Sequence, residues 1–381
     1  MTGTEQRDQF ALLRLAQRGK FARTWQKNKL TTHIFDLAAG RRLLQQAGDD
    51  LKASSFDSSY LFPHGGLRQM DGDVHTAYRR NFAAAFRAVR VGSIRDEIEA
   101  ICDALIGEVL SQGPMSTDAL ERLLRVAVKR LMIRLCLGAT GGALNALLDV
   151  YGDATSSNFT ETFSATRLKQ VGQVLASAEV SESSLLGFFR RTGPVDETTL
   201  GNAALFVIRS GTDLAGLWSW SLTLLGRNPE VLDWVATLPD TEAIEKSHAV
   251  VMEILRLERS EYLKRISKDD MVFEGLAIPG GSLIRIGVWE AHKDPEHFPD
   301  PFKLDPSRFV GRRPPADHYA PLGMDRHHCI GEDWVLGTTA ALVRMLARRC
   351  RVELAHDARL ADYDGVHFIP SRALEFRFKR I

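Results

Sequence analysis

A mostly α-helical fold with a small β-sheet region is the class this sequence predicts, and three observations carry it. Apolar residues recur at spacings of three and four from Glu5 to about Leu135. A run of roughly 30 residues after Pro194 keeps that period and would span about 45 Å as a helix. Beyond Leu257 the period shortens, and Gly275 and Pro279-Gly280-Gly281 punctuate short β-branched runs. The chain has 381 residues, 44% hydrophobic and 25% charged, so it can bury a sizeable core. Lys and Arg total 49 against 48 for Asp and Glu, a net charge of +1. That balance argues against a nucleic-acid or anionic-membrane partner for the chain as a whole.

Taken in order, helices are expected over Val74–Arg90, Ile94–Leu110 and Ser116–Leu135. Leu51–Gly72, rich in Ser, Gly and Asp and containing Phe62-Pro-His-Gly-Gly66, reads as a surface loop. Residues 138–177 carry no clear period, and short helices are expected there. Asp196, Thr198 or Thr199 caps the long helix, and Gly226 with Pro229 ends it. Trp218, Trp220, Leu222, Leu224 and Leu225 leave little polar surface near its end, which places it in the core. Thr241–Leu257 is a further helix. Tyr262–Ile266, Met271–Phe273 and Leu283–Ile286 read as strands, Asp294–Pro315 as a Pro-rich meander, and Glu332–Arg349 as a last helix. No internal repeat is visible, and residues 1–381 are expected to form a single domain. The N-terminus has no signal-like stretch, and no apolar run approaches the ~20 residues of a membrane span. Four cysteines, at 102, 136, 329 and 350, are too scattered for a disulfide framework, so a cytoplasmic location is expected.

The segment Ala320-Pro-Leu-Gly-Met-Asp-Arg-His-His-Cys-Ile-Gly331 carries the chemistry. A cysteine just before a helix N-terminus has its thiolate favoured by the unpaired amides and the helix dipole. A thiolate can ligate haem iron, and Gly331 leaves room for a flat macrocycle. A small buried hydrophobe is the bland alternative for any single cysteine. Zinc is disfavoured, because His327, His328 and Cys329 are consecutive and no spaced second pair follows. Two further motifs accompany the cysteine: Glu253-Ile-Leu-Arg256 on one helix face, and Phe298-Pro-Asp-Pro-Phe-Lys-Leu-Asp-Pro-Ser-Arg308-Phe309.

In this order and spacing, these pieces resemble the cytochrome P450 family, from about Val74 to the C-terminus and most strongly over residues 250–350. The resemblance implies the family's fold, with haem b between the long central helix and the helix after the Cys loop. It makes Cys329 the axial iron ligand and Glu253, Arg256 and Arg308 the charged triad that organises the fold beneath the haem. His75 and Arg79, stacked at i and i+4, with Arg265 and His327, correspond to the propionate partners.

Two stretches depart from the family pattern. In the Cys loop, Leu322 stands where Phe is usual, and Asp325 where Gly is usual; Asp tolerates a left-handed backbone less well. In the long helix, Ser210-Gly211-Thr212-Asp213-Leu214 has the glycine and the acid, but Leu214 replaces the alcohol that helps deliver protons. Asp213 and Thr212 are the catalytic candidates. Phe62, Arg209, Gly211 and Leu214 are the substrate-wall candidates. Arg209 pairs either with a substrate carboxylate or with Asp213 at i+4; both readings stand at this stage.

The expected activity is a bacterial-type monooxygenase of secondary-metabolite biosynthesis, oxidising a small organic substrate with O2 and electrons from a ferredoxin and its reductase. Arg79, Arg80, Arg87, Arg344, Arg348 and Arg349 could form a basic face for that partner, or simply a solvated surface. The missing alcohol keeps open a peroxygenase, coupling, dehydration or rearrangement enzyme. A non-catalytic haem or carrier-protein-binding protein is the third reading.

Overall fold

The computed structural model describes residues 20–26, 29–53, 57–152, 164–259, 262–355, 361–363 and 368–381. In chain order the elements are β1 (Phe21–Gln26), β2 (Lys29–Ile34), α1 (Leu37–Gln46), β3 (Leu51–Ala53), α2 (Gly72–Ala88), α3 (Arg95–Ser111), β4 (Met115–Ser116) and α4 (Thr117–Met132). Then come α5 (Gly141–Tyr151), α6 (Ala165–Ala176), α7 (Leu185–Thr192), the 31-residue α8 (Glu197–Arg227), α9 (Pro229–Ala236) and α10 (Asp240–Ile254). The chain closes with β5 (Tyr262–Ser267), β6 (Met271–Phe273), β7 (Leu276–Ile278), β8 (Leu283–Gly287), α11 (Val288–Ala291), α12 (Glu332–Arg349), β9 (Cys350–Leu354), β10 (Ala361–Tyr363), β11 (Phe368–Pro370) and β12 (Glu375–Arg380). These elements form two compact units, each built from three stretches of sequence.

The first unit comprises Met1–Phe56, Ala249–Cys329 and Ala361–Ile369. Its centre is a five-stranded sheet in the order β1-β2-β8-β5-β3, with β2 and β8 parallel and the other pairs antiparallel. Helix α1, capped by the Asp36 carboxylate accepting from the Ala39 N–H at 3.0 Å, lies on this sheet. Gly40 permits the contact: a Cβ there would come within 2.6 Å of Ile286. Ile34, Leu37, Leu43, Ile284 and Ile286 form the dry centre of this layer.

The second unit comprises Asp57–His248, Ile330–Leu360 and Pro370–Ile381, and its centre is α8. The Asp196 carboxylate caps that helix, accepting from the Thr199 N–H at 2.6 Å. Trp218 and Trp220 are both buried, and the Trp218 indole N–H donates to Thr339 Oγ1 of α12 at 3.2 Å. A three-stranded sheet, β4-β12-β9, covers the end of α8. Gly226 lets Val352 and Leu354 of β9 approach to about the distance of a methyl contact (3.1–3.2 Å from a built Cβ).

Three readings need correction. The helical period from Glu5 fails at β1 and β2, which are strands (Glu5–Gly19 lie outside the described residues). They pair with each other antiparallel, from Phe21↔Ile34 to Gln26↔Lys29, and β2 pairs also with β8, a partner far along the chain that no local pattern encodes. Leu51–Gly72 is not simply a surface loop: β3 pairs with β5, and Leu61, Phe62, Leu67 and Met70 are buried. The C-terminal strands β9 to β12 were not anticipated at all. The long helix, α2, α3, α4, α10 and α12 lie within a few residues of their expected limits, whereas α7 and α9, on either side of the long helix, were not anticipated.

Candidate functional site

Cys329 closes a tight loop in the first unit. Gly323 at φ +86° and Asp325 at φ +50° turn the backbone through left-handed positions, and a single helical turn covers Asp325–His327. The Gly323 N–H donates to the Ala320 carbonyl at 3.2 Å, and the Cys329 N–H to the Leu322 carbonyl at 2.8 Å. Asp325 thus itself adopts a left-handed conformation that glycine takes up without strain. Its carboxylate accepts from Arg41 Nε at 3.2 Å and Gln45 Nε2 at 3.3 Å, both on α1. A local strain of about 1 kcal/mol is therefore met by a polar tether to a neighbouring helix.

The four cysteines differ in their surroundings. Burial pushes the Cys102 thiol up to about 12 and the Cys350 thiol up to about 11; fully buried Cys136 is pushed higher still. Such thiols stay protonated. Cys329 is the partly exposed one.

Glu253, Arg256 and Arg308 meet as the motif spacing implied. Arg256 donates from Nε and Nη2 to the two Glu253 carboxylate oxygens at 2.6 and 2.8 Å, and both side chains are completely buried. Arg308 lies 3.5 Å from Glu253 Oε1. The same Glu253 oxygen accepts the Asp305 N–H at 3.0 Å, and Arg256 Nη1 donates to the His292 and Pro301 carbonyls at 2.8 and 2.7 Å. Helix α10 thereby pins the Pro-rich meander. Lys293 and Trp289, which the sequence reading did not single out, donate to the carbonyls of Arg256 and Leu257 where the helix loosens into a π turn. Desolvation makes each partner depend on the others: a stranded buried charge costs about 3–5 kcal/mol.

The cationic candidates fall in both units. In the first, Arg265 is buried on β5 and donates to the Lys264 carbonyl at 2.7 Å. The His327 side chain lies outside the described residues. In the second unit His75 is buried and Arg79 half-buried, on one face of α2. Gly331 precedes α12 in the same unit, and a Cβ there would stand 3.1 Å from the Phe86 ring. The space read as room for a macrocycle is thus bounded by Phe86, which also packs on Trp334 with centroids 4.5 Å apart.

Helix α8 presents two faces, and they divide the distal candidates. Arg209 is half-buried, and the desolvation lowers its affinity for a proton. Arg68 acts in the same direction, and Asp213, one turn on, opposes both. Asp213 itself is exposed. Gly211 lies on another face, where a Cβ would touch Met132 and Val128 of α4 at 3.7 and 3.9 Å. The Thr212 hydroxyl is turned back along its own helix. Its Oγ1 donates back to the Ile208 carbonyl at 2.9 Å, and with Gly211 it lines a cavity of about 20 Å³ facing Arg125 and Lys129 of α4. Leu214 is buried. Gly211 and Thr212 thus face α4, turned from Asp213 because successive helical residues diverge by about 100°.

Phe62 packs on α8. Its ring covers Gly201, where a Cβ would come within 2.4 Å of it, two turns before Arg209. The preceding loop is tied there by Asn202, which accepts the Leu67 N–H at 2.6 Å and donates to the Gly65 carbonyl at 3.2 Å, and by Thr198, which donates to the Pro63 carbonyl at 2.6 Å. A buried Asn on an otherwise apolar helix face was the signal available in the sequence.

Arg344, Arg348 and Arg349 are not a free basic surface. They pair with Glu99 (3.5 Å), Asp240 (2.5 Å) and Asp103, respectively. Arg80 and Arg87 are exposed. Among the described residues no group of three or more His, Cys, Asp and Glu side chains is placed to hold a metal ion. No single helix among them is long and apolar enough to cross a membrane.

The whole-chain architecture is that of the cytochrome P450 fold. A retinoic acid bound cyanobacterial CYP120A1 superposes with a TM-score of 0.77 at 19% identity, covering 98% of this chain and 94% of that one. Residues 218–365 match the cytochrome P450 family model. Among curated proteins the chain is similar to cyclooctat-9-en-7-ol 5-monooxygenase of Streptomyces melanosporofaciens, at 28% identity over 41% of this chain. It is also similar to cytochrome P450 716A75 of Maesa lanceolata, at 32% identity over 32% of this chain. The chain spans 38% and 25% of the lengths of those two relatives. The match by sequence thus covers residues 218–365, and the likeness over the whole chain is one of fold.

Proposed function

We propose that this chain is a haem-thiolate oxidoreductase that oxidises a small organic substrate, a monooxygenase fed by a ferredoxin and its reductase. The observation that carries this reading is Cys329: the partly exposed cysteine in a chain whose other three are buried, held in a backbone-bonded loop beside the Glu253–Arg256–Arg308 cluster's own segment. The donor set fits haem b. In the first unit Cys329 offers a sulfur suited to iron and Arg265 a buried cation suited to a propionate; His75, Arg79 and His327 are propionate partners by the family resemblance alone. When bound, the haem supplies the oxidising chemistry. The first unit's own parts hold the sulfur in its loop and keep Arg265 buried for a propionate. Secondary-metabolite biosynthesis in the cytoplasm is the proposed setting, in keeping with the Streptomyces relative, which bears the name of a monooxygenase.

A second reading follows from Thr212 and Leu214. With the Thr212 hydroxyl returned to Ile208 and Leu214 at the usual alcohol position, proton delivery beside Asp213 lacks a side-chain relay. This favours a peroxygenase or a coupling, dehydration or rearrangement enzyme with the same haem site. Binding without turnover, as a haem or carrier-binding protein, is the remaining reading.

Two measurements test the proposal. Reduced, carbon monoxide-treated protein is expected to give the red-shifted thiolate Soret band, and Cys329→Ala to abolish it. A histidine-type spectrum in the wild type would overturn the ligand assignment. Turnover with ferredoxin, reductase and NADPH, set against peroxide alone, then separates the monooxygenase from the second reading. Spectral shifts on ligand binding with neither turnover would leave the non-catalytic one.

A further inference from the structure

His292 lies at the end of α11, between the charged cluster and the Cys329 loop, and is completely buried. Its ring nitrogen Nε2 accepts the Ala320 N–H at 3.1 Å. A ring nitrogen that accepts carries no proton, so the imidazole is neutral at that position. Its backbone carbonyl accepts from Arg256 Nη1 at 2.8 Å. The ring stacks on Tyr319, with centroids 5.1 Å apart and planes 24° from parallel, and the Tyr319 hydroxyl donates to the Met252 carbonyl at 2.8 Å. Beyond Ala320 the chain of bonds continues: its carbonyl accepts from Gly323, and the Leu322 carbonyl accepts the Cys329 N–H at 2.8 Å. Hydrogen bonds, joined by short lengths of backbone, thus run from the Glu253–Arg256 pair through His292 to the backbone of the cysteine.

We infer that His292 is a positioning residue for the thiolate: its Nε2 latches Ala320 and so fixes the loop that aims Cys329. The inference rests on the haem-thiolate reading of Cys329. A hydrophobic replacement leaves the Ala320 N–H buried without an acceptor, and that penalty is relieved by letting the loop move. The sulfur then loses its fixed direction while the rest of the sheet is untouched.

The test uses the haem-loaded full chain and three variants. Gln can place its amide oxygen where Nε2 sits; Asn reaches only the nearer ring position; Leu supplies no acceptor. In the carbon monoxide-bound reduced state, His292→Leu and His292→Asn are expected to lose the thiolate band in favour of the protonated-thiol form, with haem content maintained. His292→Gln is expected to keep it. Should the Leu variant not fold, the Gln and Asn pair still decides. A Leu or Asn variant with the wild-type band, or a Gln variant as impaired as Asn, overturns the inference. A wild type without the band would instead defeat the haem-thiolate reading itself, so the two failures are distinguishable.

Discussion

Asp325 shows how a substitution unfavourable in one respect can be retained. An L-residue at φ +50° stores about 1 kcal/mol, and the partly exposed Arg41 contact at 3.2 Å returns a similar amount. Asp325→Gly should therefore leave stability within about 1 kcal/mol of wild type, whereas Asp325→Val, β-branched in a left-handed position, should lose about 2 kcal/mol or more. Denaturant melts of the two variants decide this, and equal tolerance of Val and Gly would contradict it. His33 gives a prediction with a pH window. It is fully buried, bonded to Thr24 Oγ1 at 2.7 Å, and burial, reinforced by Arg285, pulls its imidazole down to about 3. The unfolded chain takes up this proton near pH 6.5 and the folded chain only near 3. Stability from this group is therefore complete above pH 6.5 and is lost as the pH falls toward 3, by up to about 1.4 kcal/mol per pH unit. His33→Asn should flatten that acid limb; an unchanged slope would show that His33 does not set it.

At the scale of elements, the loop after β3 and the first half of α8 act together. Gly201 exists for Phe62: a methyl there would meet the ring at 2.4 Å, an overlap that a packed core resolves at about 1–3 kcal/mol. Gly201→Ala should destabilise by that amount, and Phe62→Leu should recover part of it in the double variant. Additive effects in the cycle would mean that the two residues do not share the space. Helical period placed α8 correctly, and its capping Asp196 was legible because N-caps are local. Which residues of α8 face a neighbour was not legible. Thr212 and Asp213 adjoin in sequence, yet one bonds back to the helix beside α4 and the other is exposed.

For the molecule as a whole, a net charge of +1 gives no global field, and three of the arginines considered for a partner face are paired with acids. What should distinguish the folded protein is its response to haem. A ligand that binds only the folded chain stabilises it by about 2.7 kcal/mol at a hundredfold excess over Kd. Adding haem to protein prepared without it should raise the melting temperature, and Arg79→Ala and Arg265→Ala should each speed haem loss to an acceptor globin. A melting temperature indifferent to haem would count against the site.

The sequence by itself determined the class of fold and the Glu253–Arg256 pair, because helical period, capping and i, i+3 geometry are local properties of the chain. Arg308 was legible only through its motif, and the His292 latch not at all. Tertiary structure alone decided that β2 joins β8, that Phe62 lies on Gly201 and Gly211 against α4, and that Asp325 is tethered to α1. Each of those outcomes depends on a partner distant in sequence, and no local pattern encodes which distant surface will exclude water from it.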